Sequence, residues 1–337
     1  MCIKRKKHQS THEKRRISII SDIQLRPVSL VNKGLNCYLN SALQGLSSSC
    51  NFFEDIVSLS KNTSKEIEKL ELLVQLVSIL TGKIQKNSEI SKNFIFKNWN
   101  KQGQQDSFEL LSYMLNEVYN DVRKHMENNK EIEKGIVNWL KVSIPMRIII
   151  QYEFNCLCKN KCDLPLQSDL ALHVGIPLKS TSNISLQNLV DEYFKEEEVK
   201  GYDCECGNRK VDRNIRLILP LPRTLCVHLQ RTYWNGYQMV KNNKKVGISS
   251  DLIIQSKFCK SKNSSTNLPD EKYKLNSVIV HLGNVDSGHY VCYKHLNDEW
   301  FLTNDTQVSR VTFEQVSDNV PYILFFDKVE IINETKL

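Results

Sequence analysis

The apolar residues of this 337-residue chain keep two different periods in its two halves, and that switch limits the folds open to it. Between residues 37 and 126 the period is helical. Leu70, Leu73, Val74, Val77 and Leu80 recur at the i, i+3, i+4 and i+7 spacing of one buried helical face. Phe108, Leu111, Met114, Leu115 and Val118 repeat the pattern in a second helix, opened by the polar run Gln102-Gly-Gln-Gln-Asp. From about residue 142 short β-rich runs take over, and 147–154, 217–221, 225–229, 275–280, 290–293 and 322–326 all read as strands. The polar stretch 255–272 reads as a surface loop or insertion, and no internal repeat is visible. Helices first and strands afterwards predict an α+β protein with separate helical and sheet lobes.

Charge and cysteine usage narrow the function classes. Of the net charge of +8, residues 1–16 carry +6, through seven Lys and Arg against the single acid Glu13. The body is therefore close to neutral, which argues against a nucleic-acid-binding face. The basic segment, taken as residues 1–25, is expected to be a disordered tail; membrane contact is expected only through it, and a nuclear signal is the other reading. No apolar run nears the roughly 20 residues of a membrane helix, and no apolar core of a signal peptide follows the N-terminus. Eleven cysteines, an odd number without secretory context, turn attention from disulfides to metal ligation and catalysis.

Two segments carry the chemistry. In Leu30-Val-Asn-Lys-Gly-Leu-Asn-Cys37-Tyr-Leu-Asn-Ser, Gly34 and Asn36 favour a turn and 38–46 reads as a helix. Cys37 thus falls at a helix N-terminus, where the dipole and unpaired N–H groups favour the thiolate. In the second segment Gly288 lets the backbone approach closely just before His289, and a strand follows. Asn304 and Asp305 come after the next apolar run, so two adjacent antiparallel strands can bring one of them to His289. A thiolate, an imidazole that carries its proton and an amide or carboxylate that orients the imidazole form a triad. A set of structural residues in a sheet is the competing reading.

These residues resemble the motifs of the ubiquitin-specific proteases. Residues 28–47 are similar to the family's Cys box, Gly-Leu-x-Asn-Leu-Gly-Asn-Thr-Cys-Tyr-x-Asn-Ser-x-Leu-Gln, and 273–308 to its His box. Gln104-Gln-Asp-Ser-Phe-Glu-Leu-Leu111 looks like its Gln-Gln-Asp-Ala-x-Glu-Phe-Leu segment, and Leu221–Arg231 like its Leu-Pro-x-x-Leu-x-x-His-Leu-x-Arg strand. The four motifs stand in the family's order across 28–326. The resemblance implies a papain-like cysteine protease domain over 26–330. A helical thumb would occupy about 28–140 and fingers about 145–260, inserted in a palm sheet completed by about 217–330. It implies a deubiquitinase that hydrolyses the isopeptide bond after the C-terminal glycine of ubiquitin, acting on ubiquitinated proteins without a catalytic cofactor. Cys37 would be the nucleophile, His289 the base, Asn304 its orienting partner with Asp305 as the fallback, and Asn32 the side-chain oxyanion donor. Gln105, Asp106, Glu109 and His281 would contact ubiquitin's tail, although Glu109 suits an internal hydrogen bond equally well.

Cys156-Leu-Cys158 and Cys204-Glu-Cys206 stand where the family often carries two Cys-x-x-Cys pairs, and the resemblance implies a structural zinc held by four thiolates. Here each pair is one residue shorter, and Cys162 is a possible further ligand. The loop before the nucleophile also departs, with Gly34-Leu-Asn-Cys37 in place of Gly-Asn-Thr-Cys. That change motivates an alternative, a ubiquitin-binding adaptor with the protease fold and weak or no catalysis. Within the family, 43–50 and 225–234 look closest to the mitochondrial outer-membrane member. The expected location is cytoplasmic, at that membrane or nuclear, with no membrane-spanning segment in this chain.

Overall fold

The computed structural model describes residues 27–32, 34–63, 67–81, 99, 103–128, 144–156, 158, 161–178, 184–201, 204, 206–207, 209–261 and 269–330, with only the backbone at 161–163. The basic tail expected at 1–25 lies outside them. Four helices come first: α1 (Cys37–Leu46), α2 (Cys50–Asn62), α3 (Glu68–Leu80) and α4 (Ser107–Asn128). Both predicted stripes are buried, Leu70, Leu73, Val77 and Leu80 on α3 and Phe108, Leu111, Met114, Leu115 and Val118 on α4; Val74 is only partly covered. Ser49 caps α2 by accepting from the Phe52 N–H, and Asp106 does the same for α4 through the Glu109 N–H at 2.8 Å. Among the described residues no helix is long and apolar enough to cross a membrane.

The strands follow as β1 (Ile148–Cys156), β2 (Lys161–Asp163), β3 (Gln167–Asp169), β4 (Leu172–Gly175), β5 (Ile184–Ser185) and β6 (Glu197–Lys200), with α5 (Leu186–Tyr193) before β6. Then come β7 (Lys210–Ile218), β8 (Thr224–Gln230), β9 (Thr232–Trp234), β10 (Met239–Lys241), β11 (Val246–Gly247), β12 (Asp251–Ile254) and β13 (Cys259–Lys260). The chain ends on β14 (Glu271–Gly283), β15 (Gly288–Leu296), β16 (Glu299–Asn304), β17 (Gln307–Val311), α6 (Phe313–Ser317) and β18 (Pro321–Lys328). An eight-stranded sheet runs β17-β16-β15-β14-β18-β8-β4, with β12 also on β14. A six-stranded sheet runs β13-β7-β1-β2, with β3 on β1 and β6 on β7.

The helical and sheet parts expected from the sequence are both present, and they share a core. Strands β14, β15 and β18 are apolar on both faces, so successive residues enter two different cores. Ile279, Cys292, Ile323 and Phe325 join the helices, whereas Val278, Val280, Val291, Leu324 and Phe326 face the second core, shared with the other sheet. All ten residues of α1 are buried between the remaining helices and the large sheet. Gly45 permits this approach, since a Cβ there would stand 2.8 Å from the Phe325 ring and 3.1 Å from Ile279. Of the strand expected at 217–221 only residues 217 and 218 are strand, the end of β7, which begins at Lys210. The stretch 255–272 is not wholly loop either, because Cys259–Lys260 pairs in parallel with β7.

Candidate active site

Cys37 is the first residue of α1 and is only 2% exposed. Asn36 does not cap that helix with its side chain. The turn before it is held instead by Asn32, whose Oδ1 accepts the N–H groups of Gly34 at 3.2 Å and Asn36 at 3.1 Å. The other end of the same amide, Nδ2, donates to Asp305 Oδ2 at 3.0 Å. Asn40, one turn into α1, donates to Asp305 Oδ1 at 2.7 Å, and the Leu30 N–H donates to the Asp305 carbonyl at 2.9 Å. Asp305 sits at φ +52° in the turn between β16 and β17, a conformation that Asp and Asn tolerate better than most residues. One carboxylate thus ties the turn before Cys37 to the helix that Cys37 begins.

His289 is the second residue of β15, the strand against which α1 packs. Asn304 closes β16, the next strand, and its Oδ1 lies 2.7 Å from His289 Nε2. An amide oxygen can only accept, so this bond requires the proton on Nε2. Nδ1 is then left with the basic lone pair. Of the two residues proposed to orient the imidazole, Asn304 is the one bonded to it, while the Asp305 side chain engages Asn32 and Asn40.

The remaining expected positions surround this pair. Gln104 grips the chain next to the imidazole: its Oε1 accepts the Gly288 N–H at 3.0 Å and its Nε2 donates to the Gly288 carbonyl. Gly288 is enclosed so closely that a Cβ would stand 2.2 Å from the Leu282 carbonyl oxygen and 2.3 Å from His281 Nε2. Asp106 accepts from the hydroxyls of Tyr290 and Tyr322 as well as from the Glu109 N–H. Burial and the Asp106 charge hold both phenols well above their ordinary pKa. The Glu109 side chain is exposed in the first turn of α4. His281 stacks on Tyr290 with ring centroids 4.3 Å apart, and burial, with the Lys241 charge, lowers its pKa to about 4, so it is neutral at pH 7. His228, from the Leu221–Arg231 motif, stacks under Phe108 at 4.3 Å and is likewise pushed down to about 4 by burial. Gln104, Asn40 and Tyr322 were not singled out from the sequence. A helix-start reading of the polar run before α4 signals Gln104; nothing local signals Tyr322, which comes from β18.

The four predicted metal cysteines meet at the far end of the six-stranded sheet. Cys156 ends β1 and Cys158 follows it, while Cys204 and Cys206 precede β7, the antiparallel neighbour of β1. Their sulfurs lie 3.4 Å apart for Cys156–Cys206, 3.7 Å for Cys158–Cys204 and 3.4 Å for Cys204–Cys206, all four within 4.8 Å of one another. Sulfurs at about 2.3 Å from a tetrahedral zinc stand about 3.8 Å apart, so the set fits a closed structural site. The Cys158 N–H and the adjacent thiols already draw the Cys156 thiol down to about 6. The Cys162 side chain lies outside the described residues.

Comparison with known proteins agrees with this arrangement. Residues 28–326 match the family described as ubiquitin carboxyl-terminal hydrolase. The chain is 26% identical over 237 residues to the probable ubiquitin carboxyl-terminal hydrolase 8 of Schizosaccharomyces pombe, covering 68% of this chain and 46% of that one. It is 28% identical over 334 residues to ubiquitin carboxyl-terminal hydrolase 25 of Arabidopsis thaliana, covering 90% and 47%. It therefore spans about half the length of these two curated relatives. The fold is that of the Ubp8 chain in the SAGA Ubp8/Sgf11/Sus1/Sgf73 DUB module bound to ubiquitin aldehyde, with a TM-score of 0.73 at 22% identity over 92% of this chain and 71% of that one. With nearly all of its described body inside one family match, the chain belongs to the ubiquitin carboxyl-terminal hydrolase family.

Proposed function

We propose that the chain is a thiol-dependent deubiquitinase that hydrolyses the isopeptide bond after the C-terminal glycine of ubiquitin. The observation that carries this reading is the His289–Asn304 bond, on the strand that packs against the helix begun by Cys37. Nδ1 of His289 takes the Cys37 proton, and the thiolate attacks the scissile carbonyl. The Nε2–H donated to Asn304 steadies the imidazolium that results. The Cys37 N–H at the start of α1 and the Asn32 amide are the donors for the oxyanion, together worth several kcal/mol at about 3 kcal/mol per donor. Collapse breaks the C–N bond, and His289 passes its proton to the departing lysine amine. A water deprotonated by His289 then cleaves the thioester and restores the thiol.

In this reading α1–α4 form the thumb, the sheet ending in the four cysteines the fingers and the eight-stranded sheet the palm. Ubiquitin's tail is basic near its end, and the exposed Glu109 carboxylate at the start of α4 suits it. Asp106, Gln105 and His281 would shape the channel from beside and beneath. Zinc, where bound, braces the fingertips and takes no part in the reaction. The stretches 43–50 and 225–234 favour the mitochondrial outer-membrane subgroup, a placement that cell fractionation tests.

A ubiquitin probe with a C-terminal electrophile tests the function. The expected result is stoichiometric labelling at Cys37, absent in Cys37→Ala. Tight ubiquitin binding without labelling would instead favour the non-catalytic adaptor.

A further inference from the structure

Strand β4 lies parallel to β8, and their register sets His173 directly opposite His228. The two side chains share a face of the large sheet, and their Nδ1 atoms stand 2.9 Å apart. Phe108, the second residue of α4, packs on both rings. It stacks on His228 at 4.3 Å and meets His173 edge-on at 5.1 Å. Tyr322 of β18 meets His228 edge-on at 4.9 Å and donates its hydroxyl to Asp106, the residue before α4. Two imidazoles therefore sit in the joint between α4 and the large sheet, and the reaction proposed above uses neither.

The neighbours fix how many protons the pair can hold. Asp169, which ends β3, accepts from the Leu170 N–H at 2.7 Å, and its other oxygen lies 3.3 Å from His173 Nε2. Burial raises the pKa of Asp169, but the hydrogen bond and charge of His173 outweigh burial and hold it below the ordinary value. An ionised carboxylate only accepts, so His173 carries a proton on Nε2. The 2.9 Å contact then needs one proton between the two Nδ1 atoms, on either ring. Nε2 of His228 is buried and has no hydrogen-bond partner among the described residues. At most three protons fit on the four ring nitrogens while the contact lasts. A fourth sets N–H against N–H and brings two positive charges to short range.

The titratable groups facing the pair come from each element packed on it. They are Asp106 before α4, with Glu109 beyond Tyr322, then Asp169 of β3, Cys226 of β8 and Tyr322 of β18. Burial raises the pKa of Cys226 and Tyr322, so both are neutral in acid. Asp106 and Asp169 favour charge on the pair, yet burial outweighs them and lowers the pKa of His228 to about 4.

We propose that the His173–His228 pair is an acid-triggered release between α4 and the large sheet. Uptake of the fourth proton parts the two rings and lifts Phe108. It thereby slackens the hold of Gln104 and Asp106 on Gly288 and Tyr290, the residues on either side of His289. The consequence for turnover rests on the hydrolase reading proposed above; the release itself does not. Because His228 is held below the unfolded value of about 6.5, the unfolded chain binds more protons between about pH 6.5 and pH 4. Stability is therefore full above that window and falls as pH drops through it.

Thermal unfolding of the full chain between pH 7.5 and pH 4.5 tests the release without reference to activity. An amide at either position accepts from or donates to the facing Nδ1 and never becomes charged, so it suits every protonation state of its neighbour. The fall in Tm should shrink by about 5 °C in His228→Gln, and by less in His173→Gln. Hydrogen exchange in the first two turns of α4, corrected for the intrinsic rate, should quicken at pH 4.5 in wild type and much less in both variants. His173→Gln should turn over a ubiquitin C-terminal amide like wild type at pH 7.5 and keep a larger share of that rate at pH 5. Protonation of His289 is common to both proteins and cancels in that comparison. An equal fall in Tm in all three proteins, or unchanged exchange of α4 in wild type, overturns the release. An acid limb of turnover identical in wild type and His173→Gln overturns its link to catalysis. Absence of turnover at every pH, with the Tm and exchange differences intact, overturns the hydrolase reading and leaves the release standing. Should His228→Gln fail to fold, His173→Gln decides alone.

Discussion

Asn304 and Asp305 are adjacent in sequence yet serve different groups, and kinetics can separate them. Asn304→Ala removes the acceptor that keeps the proton on His289 Nε2. We expect kcat/KM to fall about a hundredfold or more, with a displaced acid limb in its pH profile. Asp305→Asn keeps a residue that tolerates positive φ but sets an amide N–H2 against the donors of Asn32 and Asn40. The turn before Cys37 loosens, and we expect a fall of about a hundredfold with the acid limb in place. Lys294 is a second residue-scale case. Its ammonium is fully buried at the C-terminal end of α1, donating to Gln44 Oε1 and Ser47 Oγ at 3.1 Å each, and burial lowers its pKa to about 8. Cys292, the ionisable neighbour, is itself pushed up to about 12 and stays a neutral thiol. Between about pH 8 and the unfolded value of about 10.4 the unfolded chain binds the extra proton, so stability rises with pH across that window. Denaturant melts should therefore show wild type gaining about 3 kcal/mol on Lys294→Met between pH 7 and pH 10.

At the scale of elements, α1 is positioned by close packing rather than by propensity. Gly45→Ala adds helix propensity of about 1 kcal/mol, but its Cβ would enter the Phe325 and Ile279 side chains. Overpacking of this kind costs about 1–3 kcal/mol, and because α1 carries Cys37 we expect lower activity together with a lower Tm. The stripes of α3 and α4 were readable because each helix buries one face, which leaves a period in the sequence. Helix α1 is buried all round, its polar Asn40, Ser41 and Gln44 included, so its sequence did not mark a solvent face and its placement between helices and sheet was not legible. Of the strands from 271 onward, β14, β15 and β18 were legible as apolar runs, whereas β16 and β17 were not among the expected strands. Which core each residue enters follows from register, and register depends on partners remote in sequence.

For the molecule as a whole, the cysteine cluster decides how firmly the six-stranded sheet ends. The predicted outcome is one zinc per chain, with Cys158→Ser or Cys206→Ser losing the metal and lowering Tm, while the buried Cys226→Ser keeps it; metal analysis and melting curves check both. A strong chelator should lower Tm in wild type and change little in the zinc-free variants. The two Cys-x-Cys pairs were visible as candidate ligands. Their meeting is a consequence of β1 lying antiparallel to β7, with Cys156 opposite Val211, which sets the Cys204–Cys206 turn beside the end of β1.

Cys37, His289 and the two cysteine pairs could be singled out from the sequence because the motifs that resemble the family's are contiguous, local runs; a thiol before a helix and an imidazole after a glycine left structural residues as the competing reading. The helical and strand periods, and hence the α+β class, are local in the same sense. The tertiary structure decided what depends on distance across the chain. It set Asn304 rather than Asp305 on His289, gave Asp305 to the turn before Cys37, and made Gln104 the clasp on Gly288. It also merged the helices and the large sheet into a common core. A hydrogen bond between residues 273 apart, as between Asn32 and Asp305, has no local signature, since only the folded chain brings the two amino acids within reach.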